Sequence, residues 1–338
     1  MLLLPPPNVL WTLVVLLALL AIATLAIKGW QWTHPQADLD SLQARMQSWW
    51  VILTCLGIAL LLNRGAVVCF FALVSFLSLK EYLSLIPTRR VDRRVLFCAY
   101  LAIPIQYLWV WTDWYVMFLI FVPVYMFLFL PMRMLISGET EGFLRAIGTL
   151  HWGMMLTVFS LGHIAYLLML NPAGNPGAGG AGLLLYLLIL TEGNDIAQYC
   201  WGKSLGRHRI VPTLSPNKTW EGWMGGLLTT VLLAIALAPG LTPFPWPVAL
   251  VLGLLLAMAG FIGDVTLSAL KRDLGVKDSG TLLPGHGGIL DRIDSLTYTA
   301  PLFFHLTVFF YFPAEALAPG SQSIIDQLLR SLSDFQGW

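Results

Sequence analysis

The sequence has few charged residues, few cysteines and no long polar segment. Only 11% of its 338 residues are charged, whereas 57% are hydrophobic. A soluble domain usually has about 25% charged residues, so this chain lacks the polar side chains that a water-exposed surface needs. The formal net charge of +1 argues against nucleic-acid binding, and four scattered cysteines argue against a disulfide framework. The composition indicates a polytopic membrane protein.

Apolar segments long enough to cross a bilayer recur along the chain. A membrane-spanning helix needs roughly 20 mostly apolar residues, and ten segments approach this length. The predicted fold class is therefore all-α, a polytopic integral membrane protein with about ten transmembrane helices. The predicted spans are 9–27, 48–63, 65–79, 95–111, 114–131, 147–170, 180–200, 222–238, 244–270 and 296–313.

The basic residues orient these spans. If the first loop, 28–47, lies in the cytoplasm, the cytoplasmic loops hold 17 of the 19 Lys and Arg residues, and only Arg64 and Arg330 lie outside. Both termini are then expected outside the cytoplasm. The segment 37–50 and the end of the chain have patterns typical of helices that lie on the membrane surface, and for the end of the chain a loosely ordered tail is the alternative.

Ionisable residues in or beside the spans are concentrated at their cytoplasmic ends. Such a residue costs a few kcal/mol within a bilayer and is therefore a functional candidate. The group comprises Glu192 and Asp195 in the seventh span, Asp264 in the ninth, and Glu221, Asp291 and Asp294 at the starts of the eighth and tenth. Snorkelling at helix ends explains a single carboxylate more easily than the whole group.

The ninth span and the following loop combine carboxylates, hydroxyls, cations and glycines. Asp264, Ser268 and Lys271 occupy positions i, i+4 and i+7 and so share one helix face. The Pro-Gly-His-Gly-Gly segment at 284–288 lets backbone amides approach a ligand. It leads into a helix whose N-terminus attracts phosphate and whose two aspartates share a face. Carboxylates beside Lys and Arg suit a magnesium ion that holds a polyphosphate.

The preceding cytoplasmic loop contains a second candidate segment, 215–222. Ser215 followed by Pro216 predicts a helix start, with the serine as the cap. Lys218 and Glu221 would then face the same pocket as the aspartate-rich loop. Taken alone, the segment is only a helix start at the membrane surface. Because it lies in the cytoplasmic loop next to the aspartate-rich one, we expect it to line the opposite side of the same site.

Together, these two segments resemble the phosphatidate cytidylyltransferase family, also called CDP-diacylglycerol synthases. The family's Ser-Pro-x-Lys-Thr-x-Glu-Gly motif matches 215–222. Its longer motif matches Ser268, Lys271, Arg272, Lys277, Asp278, Pro284 to Gly288, Asp291, Arg292 and Asp294. One position departs from the family: Asp195, Tyr199 and Gly202 keep the usual spacing, but Gln198 replaces an alanine.

The resemblance implies transfer of CMP from CTP to phosphatidate, which gives CDP-diacylglycerol and pyrophosphate for phospholipid biosynthesis. The lipid phosphate attacks the α-phosphorus in line, while metal ions and cations neutralise charge. The implied cofactor is Mg²⁺ or Mn²⁺, and a second, monovalent ion and a homodimer remain open. The implied partners are CTP, phosphatidate and membrane lipid, without nucleic acid. The implied location is the bacterial inner membrane, with the active site on the cytoplasmic face.

The resemblance covers 95–315 as a catalytic membrane domain. It leaves an N-terminal membrane extension of about three spans at 1–94 and an amphipathic C-terminal tail at 316–338.

The residues that the resemblance assigns to the site fall into three groups. The metal ligands are Asp264, Asp291 and Asp278. The catalytic residues are Lys218, Lys271, Arg272, His286 and Asp294. The substrate-binding residues are Ser215, Thr219, Glu221, Ser268, Lys277, Gly287, Gly288, Arg292 and Asp195. His286 has two interpretations, a general acid for pyrophosphate or a residue that stabilises its turn.

Two alternatives stay open on the sequence alone. A CTP-dependent polyprenol or dolichol kinase, or a cytidylyltransferase for another lipid phosphate, would also need a CTP site. The kinase would release CDP instead of pyrophosphate. A cation-coupled transporter would place its carboxylates near the bilayer midplane. Carboxylates at inner helix ends, beside a glycine-rich loop, favour an enzyme.

Overall fold

Helices make up most of the computed structural model, which describes residues 5–34, 39–87, 93–136, 138–170, 174–280, 282 and 287–311. His286 and the predicted tail at 316–338 lie outside these residues. The helices are α1 (Pro7–Thr33), α2 (Asp40–Leu62), α3 (Arg64–Leu85), α4 (Arg93–Trp111), α5 (Tyr115–Ile120), α6 (Phe127–Leu135), α7 (Phe143–Met154), α8 (Ser160–Tyr166), α9 (Gly179–Leu205), α10 (Trp220–Leu241), α11 (Trp246–Asp273), α12 (Leu290–Ile293) and α13 (Leu296–Tyr311).

Short irregular helical turns join several of these helices into longer segments. π-helical turns at Phe121–Met126 and Met155–Phe159 connect α5 to α6 and α7 to α8, and a 3₁₀ turn, Leu167–Met169, follows α8. Nine of the resulting segments in the described ranges are long and apolar enough to cross a membrane. They correspond in order to the first nine predicted spans. The all-α, polytopic membrane fold is therefore confirmed.

The tenth predicted span, 296–313, contains α13. This helix has 16 residues in the part of the chain that the structure describes, which ends at residue 311. The last two residues of the predicted span, 312 and 313, lie outside the described part.

Residues 40–50 of the predicted surface segment at 37–50 do not form a separate helix, and residues 37 and 38 lie outside the described part. Instead, α2 runs without a break from Asp40 to Leu62. Its polar start lies beside the end of α1, where the Gln43 amide donates a hydrogen bond of 2.5 Å to Gln31. This hydrogen bond joins the start of α2 to the end of α1.

The centre of the fold that carries the site is formed by α9, α10, α11 and α13. Buried polar side chains join these helices. Thr191 on α9 donates to the Thr299 hydroxyl on α13 at 3.0 Å, and the Thr230 hydroxyl on α10 donates to the side-chain oxygen Oδ1 of Asn194 on α9 at 3.1 Å. Hydrogen bonds between apolar helices are a typical way to hold a membrane bundle together. They fix the positions of these helices relative to one another.

A short antiparallel hairpin lies between α9 and α10. Strand β1 (Arg209–Val211) pairs with β2 (Ser215–Thr219), with Arg209 opposite Thr219 and Val211 opposite Ser215. The predicted helix start at Ser215 is therefore wrong. The helix begins at Trp220, and the extended Thr219 caps it by accepting a hydrogen bond from the Gly222 amide at 3.2 Å.

Candidate active site

Asp264 lies on α11, at the point where this helix contacts the start of α13. The contact requires Gly263, because a Cβ there would lie 2.5 Å from the carbonyl oxygen of Asp294. The Asp264 carboxylate pairs with the Lys218 ammonium at 2.5 Å and accepts a hydrogen bond from the Ser268 hydroxyl at 3.2 Å. The two motifs, separated by about 50 residues of sequence, are thus joined by an ion pair.

Asp291 on α12 is only 6% exposed and is fully engaged. One carboxylate oxygen pairs with Lys271 at 2.6 Å. The other accepts hydrogen bonds from the amides of Ser279 at 2.8 Å and Gly288 at 3.0 Å. Burial alone would raise the pKa of Asp291, but the Lys271 ammonium and these amides outweigh it and lower this pKa below its ordinary value. The carboxylate is held in its charged form.

Further carboxylates lie close to Asp264. The Ser295 hydroxyl donates to one Asp195 oxygen at 2.8 Å, and the other Asp195 oxygen is buried without a hydrogen-bond partner among the described residues. Loss of contact with water and the nearby charges of Asp264 and Asp195 raise the pKa of Asp294 well above its ordinary value, against the opposing effect of Arg292. Carboxyl groups are therefore crowded between α9, α11 and the start of α13, and without a bound cation this crowding favours the uncharged form of Asp294.

A cavity of about 300 Å³ opens beside these carboxylates. It joins the hairpin, the end of α11 and the loop that follows α11. Its lining combines three cations with serine hydroxyls, a combination that suits phosphate oxygens. The lining residues are Leu214, Ser215, Pro216, Asn217, Ser268, Lys271, Arg272, Lys277 and Asp278.

Two predicted substrate-binding residues have internal partners instead. Glu221 accepts hydrogen bonds from the His208 ring at 2.6 Å and from the Arg207 amide at 3.0 Å, so it holds the start of the hairpin. Thr219 caps α10. Gln198, the departure from the family motif, lies against Gly226 on α10, and the small residue there accommodates its bulk.

The remaining predicted residues lie around the loop before α12. Gly287 has a left-handed backbone, with φ of 78°. Arg292 lies close enough to Glu192 and Asp294 to interact with their charges. The Arg272 guanidinium donates to the Leu214 carbonyl at 3.3 Å and so links α11 to the hairpin.

The sequence-based prediction missed Glu81 near the end of α3. Its carboxylate accepts hydrogen bonds from the amides of Ile289 at 2.9 Å and Leu290 at 3.1 Å. The available signal was its position: Glu81 lies two residues after the third predicted span, at the same end of the bundle as the other carboxylates.

The carboxylates at this site suit a divalent cation that is also bound by substrate phosphates. Among the described residues, no three His, Cys, Asp or Glu side chains form a ready-made metal site. Instead, Asp264, Asp195 and Asp294 crowd together, and one Asp195 oxygen lacks a partner. Mg²⁺ is usually bound by one or two carboxylates together with substrate phosphates and water. These residues fit such a shared site better than an all-protein cage.

Residues 43–310, most of the chain, match the model of the cytidylyltransferase family. The chain belongs to the cytidylyltransferase family. The family resemblance that the two motifs indicate is therefore confirmed, and the protein is an integral membrane nucleotidyltransferase. The matched region includes α3 and Glu81.

Individual relatives support the same assignment. The chain is 47% identical to an uncharacterized protein of Escherichia coli K12, YnbB, over 87% of this chain and 96% of that protein. It is 42% identical to a phosphatidate cytidylyltransferase of Bacillus subtilis over 39% of this chain and 49% of the enzyme. It is 40% identical to the Haemophilus influenzae enzyme of the same name, over 39% of this chain and 46% of that enzyme. The matches to the named enzymes thus span about half of their length.

Proposed function

We propose that this cytidylyltransferase transfers CMP from CTP to phosphatidate and releases pyrophosphate. The observation that carries the proposal is the 300 Å³ cavity, in which Lys271, Arg272 and Lys277 face Ser215 and Ser268 beside the carboxylate cluster. A triphosphate needs such cations, and a metal ion held by phosphates needs such carboxylates. The partial matches to phosphatidate cytidylyltransferases support phosphatidate as the acceptor.

The transfer of CMP mainly requires that the negative charge of the phosphates be neutralised. A lipid phosphate near neutral pH is already largely dianionic, so its oxygen attacks the α-phosphorus of CTP without a strong general base. Lys271, Arg272 and Lys277 stabilise the charge that develops on the leaving pyrophosphate. Lys218 and the Ser268 hydroxyl hold Asp264 in place, and Ser215 donates a hydrogen bond to a phosphate oxygen. Mg²⁺ or Mn²⁺, shared by Asp264 and the phosphates with Asp294 in support, would supply further neutralisation when bound.

The expected reaction is measured with purified protein in detergent, CTP, Mg²⁺ and phosphatidate. Pyrophosphate should appear only when the lipid is present, in a 1:1 ratio to a CMP-bearing lipid product. Omission of phosphatidate and its replacement by diacylglycerol, which lacks the attacking phosphate, are the controls. Release of CDP with a polyprenol or dolichol acceptor, and no pyrophosphate with phosphatidate, would contradict the proposal.

We also propose that the site faces the cytoplasm of a bacterial cell and that both termini lie outside it. The distribution of 17 of 19 basic residues supports this orientation, and it lets cytosolic CTP meet a lipid phosphate at the inner surface. A cysteine introduced next to either terminus should react with a membrane-impermeant maleimide in intact cells, whereas one in the hairpin, at Asn217, should react only after lysis. Labelling of Asn217→Cys in intact cells would contradict the orientation.

A further inference from the structure

Glu81 connects α3 to the glycine-rich loop of the candidate site. Its carboxylate accepts hydrogen bonds from the Ile289 and Leu290 amides, at 2.9 and 3.1 Å, and from the Ser279 hydroxyl. The two amides belong to the first turn of α12, where backbone donors have no partner within the helix. Glu81 thus binds Ser279, in the segment after α11, and the backbone at the start of α12.

The glycines of this loop make room for the Glu81 carboxylate. A Cβ at Gly288 would overlap this carboxylate, and the three atoms nearest to that Cβ all belong to Glu81. A Cβ at Gly280 would lie 3.0 Å from a Glu81 oxygen. Gly288 therefore has a packing role against α3, separate from any role in approaching a ligand.

Ser279 links Glu81 to the ion pair of the site. Its hydroxyl lies within hydrogen-bond distance of both the Glu81 carboxylate and Asp291, with 2.8 Å to the latter, and its amide also donates to Asp291. The hydroxyl has one proton and can donate to only one carboxylate at a time. Asp291 in turn pairs with Lys271, which lines the cavity. A continuous polar chain thus runs from α3 to the cavity.

We propose that Glu81 is a positioning residue for the transfer reaction. It fixes the start of α12 and the Ser279 hydroxyl, and through them it sets the orientation of Asp291 and Lys271. Glu81 itself does not line the cavity. The catalytic part of this proposal rests on the proposed function, whereas the structural part, the clamp on Ser279, Ile289 and Leu290, does not.

Activity provides the first test. Glu81→Ala should lower kcat by about 10–100-fold, which is the usual effect of removing a residue that orients the ligand-binding residues. Glu81→Gln keeps the shape but replaces one acceptor oxygen by a donor, so its loss should be smaller. Glu139→Ala, which removes an exposed carboxylate from the loop before α7, is the matched control and should keep wild-type activity. Activity of Glu81→Ala within twofold of wild type would overturn the proposal.

Coupling to Gly288 provides the second test. Gly288→Ala alone should reduce activity, because its methyl group overlaps the Glu81 carboxylate. Combined with Glu81→Ala, it should cause no further loss, because the overlap is gone. A multiplicative loss in the double variant would show that Gly288 and Glu81 act independently, which would overturn the proposed clamp.

Hydrogen exchange separates this proposal from the proposed function. The Ile289 and Leu290 amides should exchange more than tenfold faster in Glu81→Ala and in Glu81→Gln than in the wild-type protein, without any substrate. If wild-type protein fails to transfer CMP, the proposed function fails, and exchange alone then decides the clamp. Unchanged exchange at both amides would overturn it.

Discussion

Asp264→Asn is expected to reduce formation of CDP-diacylglycerol by about 1,000-fold, since a group that neutralises charge in the transition state contributes several kcal/mol. Asparagine keeps the size of the side chain and still accepts hydrogen bonds from Lys218 and Ser268. It removes the negative charge that would hold the metal ion. The variant should therefore fold normally and lose the chemical step.

The measurement for this variant is lipid product formed per minute in detergent at saturating CTP and Mg²⁺. Asp273→Asn is the matched control, because Asp273 is an exposed residue at the end of the same helix, and it should keep near wild-type activity. Product formation by Asp264→Asn within tenfold of the control, at equal expression, would contradict the role of Asp264.

Lys271→Met is expected to damage both stability and activity. It leaves the buried Asp291 carboxylate without its ion-pair partner, which typically costs about 3–5 kcal/mol of folding free energy. It also removes a cation from the phosphate cavity, which should lower kcat by about 100-fold or more. Thermal unfolding in detergent and the lipid-product assay measure the two effects separately.

A double variant separates the two effects of Lys271. Lys271→Met combined with Asp291→Asn removes the unpaired buried charge, so most of the lost stability should return. Activity should stay low, because both the cation and the carboxylate are absent. Lys203→Met, on the exposed end of α9, controls for loss of a positive charge. Recovery of activity in the double variant would show that Lys271 serves only to balance Asp291.

The part of the site that sequence could predict depends on local spacing. Asp264, Ser268 and Lys271 share a face on any straight helix, and the structure places all three beside the cavity or the carboxylate cluster. The spans were equally predictable, because the bilayer demands long apolar segments. The family motifs also predicted that the hairpin segment belongs to the same site, and Lys218 of this segment forms an ion pair with Asp264.

The rest depends on contacts between distant segments, which spacing does not encode. Ser-Pro is as compatible with a strand as with a helix start, and only pairing with β1 places Ser215 in β2. Glu81 lies about 200 residues in sequence from the amides that donate hydrogen bonds to it, so no local sequence pattern predicts this contact. Glu221 has a carboxylate of the kind that binds ligands. Its oxygens, however, already accept hydrogen bonds from His208 and Arg207.

The most direct test of the central claim follows the phosphorus atoms of CTP. Purified protein is incubated with phosphatidate, Mg²⁺ and CTP labelled at either the α- or the γ-phosphate. The α-label should enter the lipid, and the γ-label should be released as pyrophosphate. Transfer of the γ-label to a lipid, or absence of both labels from the lipid fraction, would contradict the proposed function.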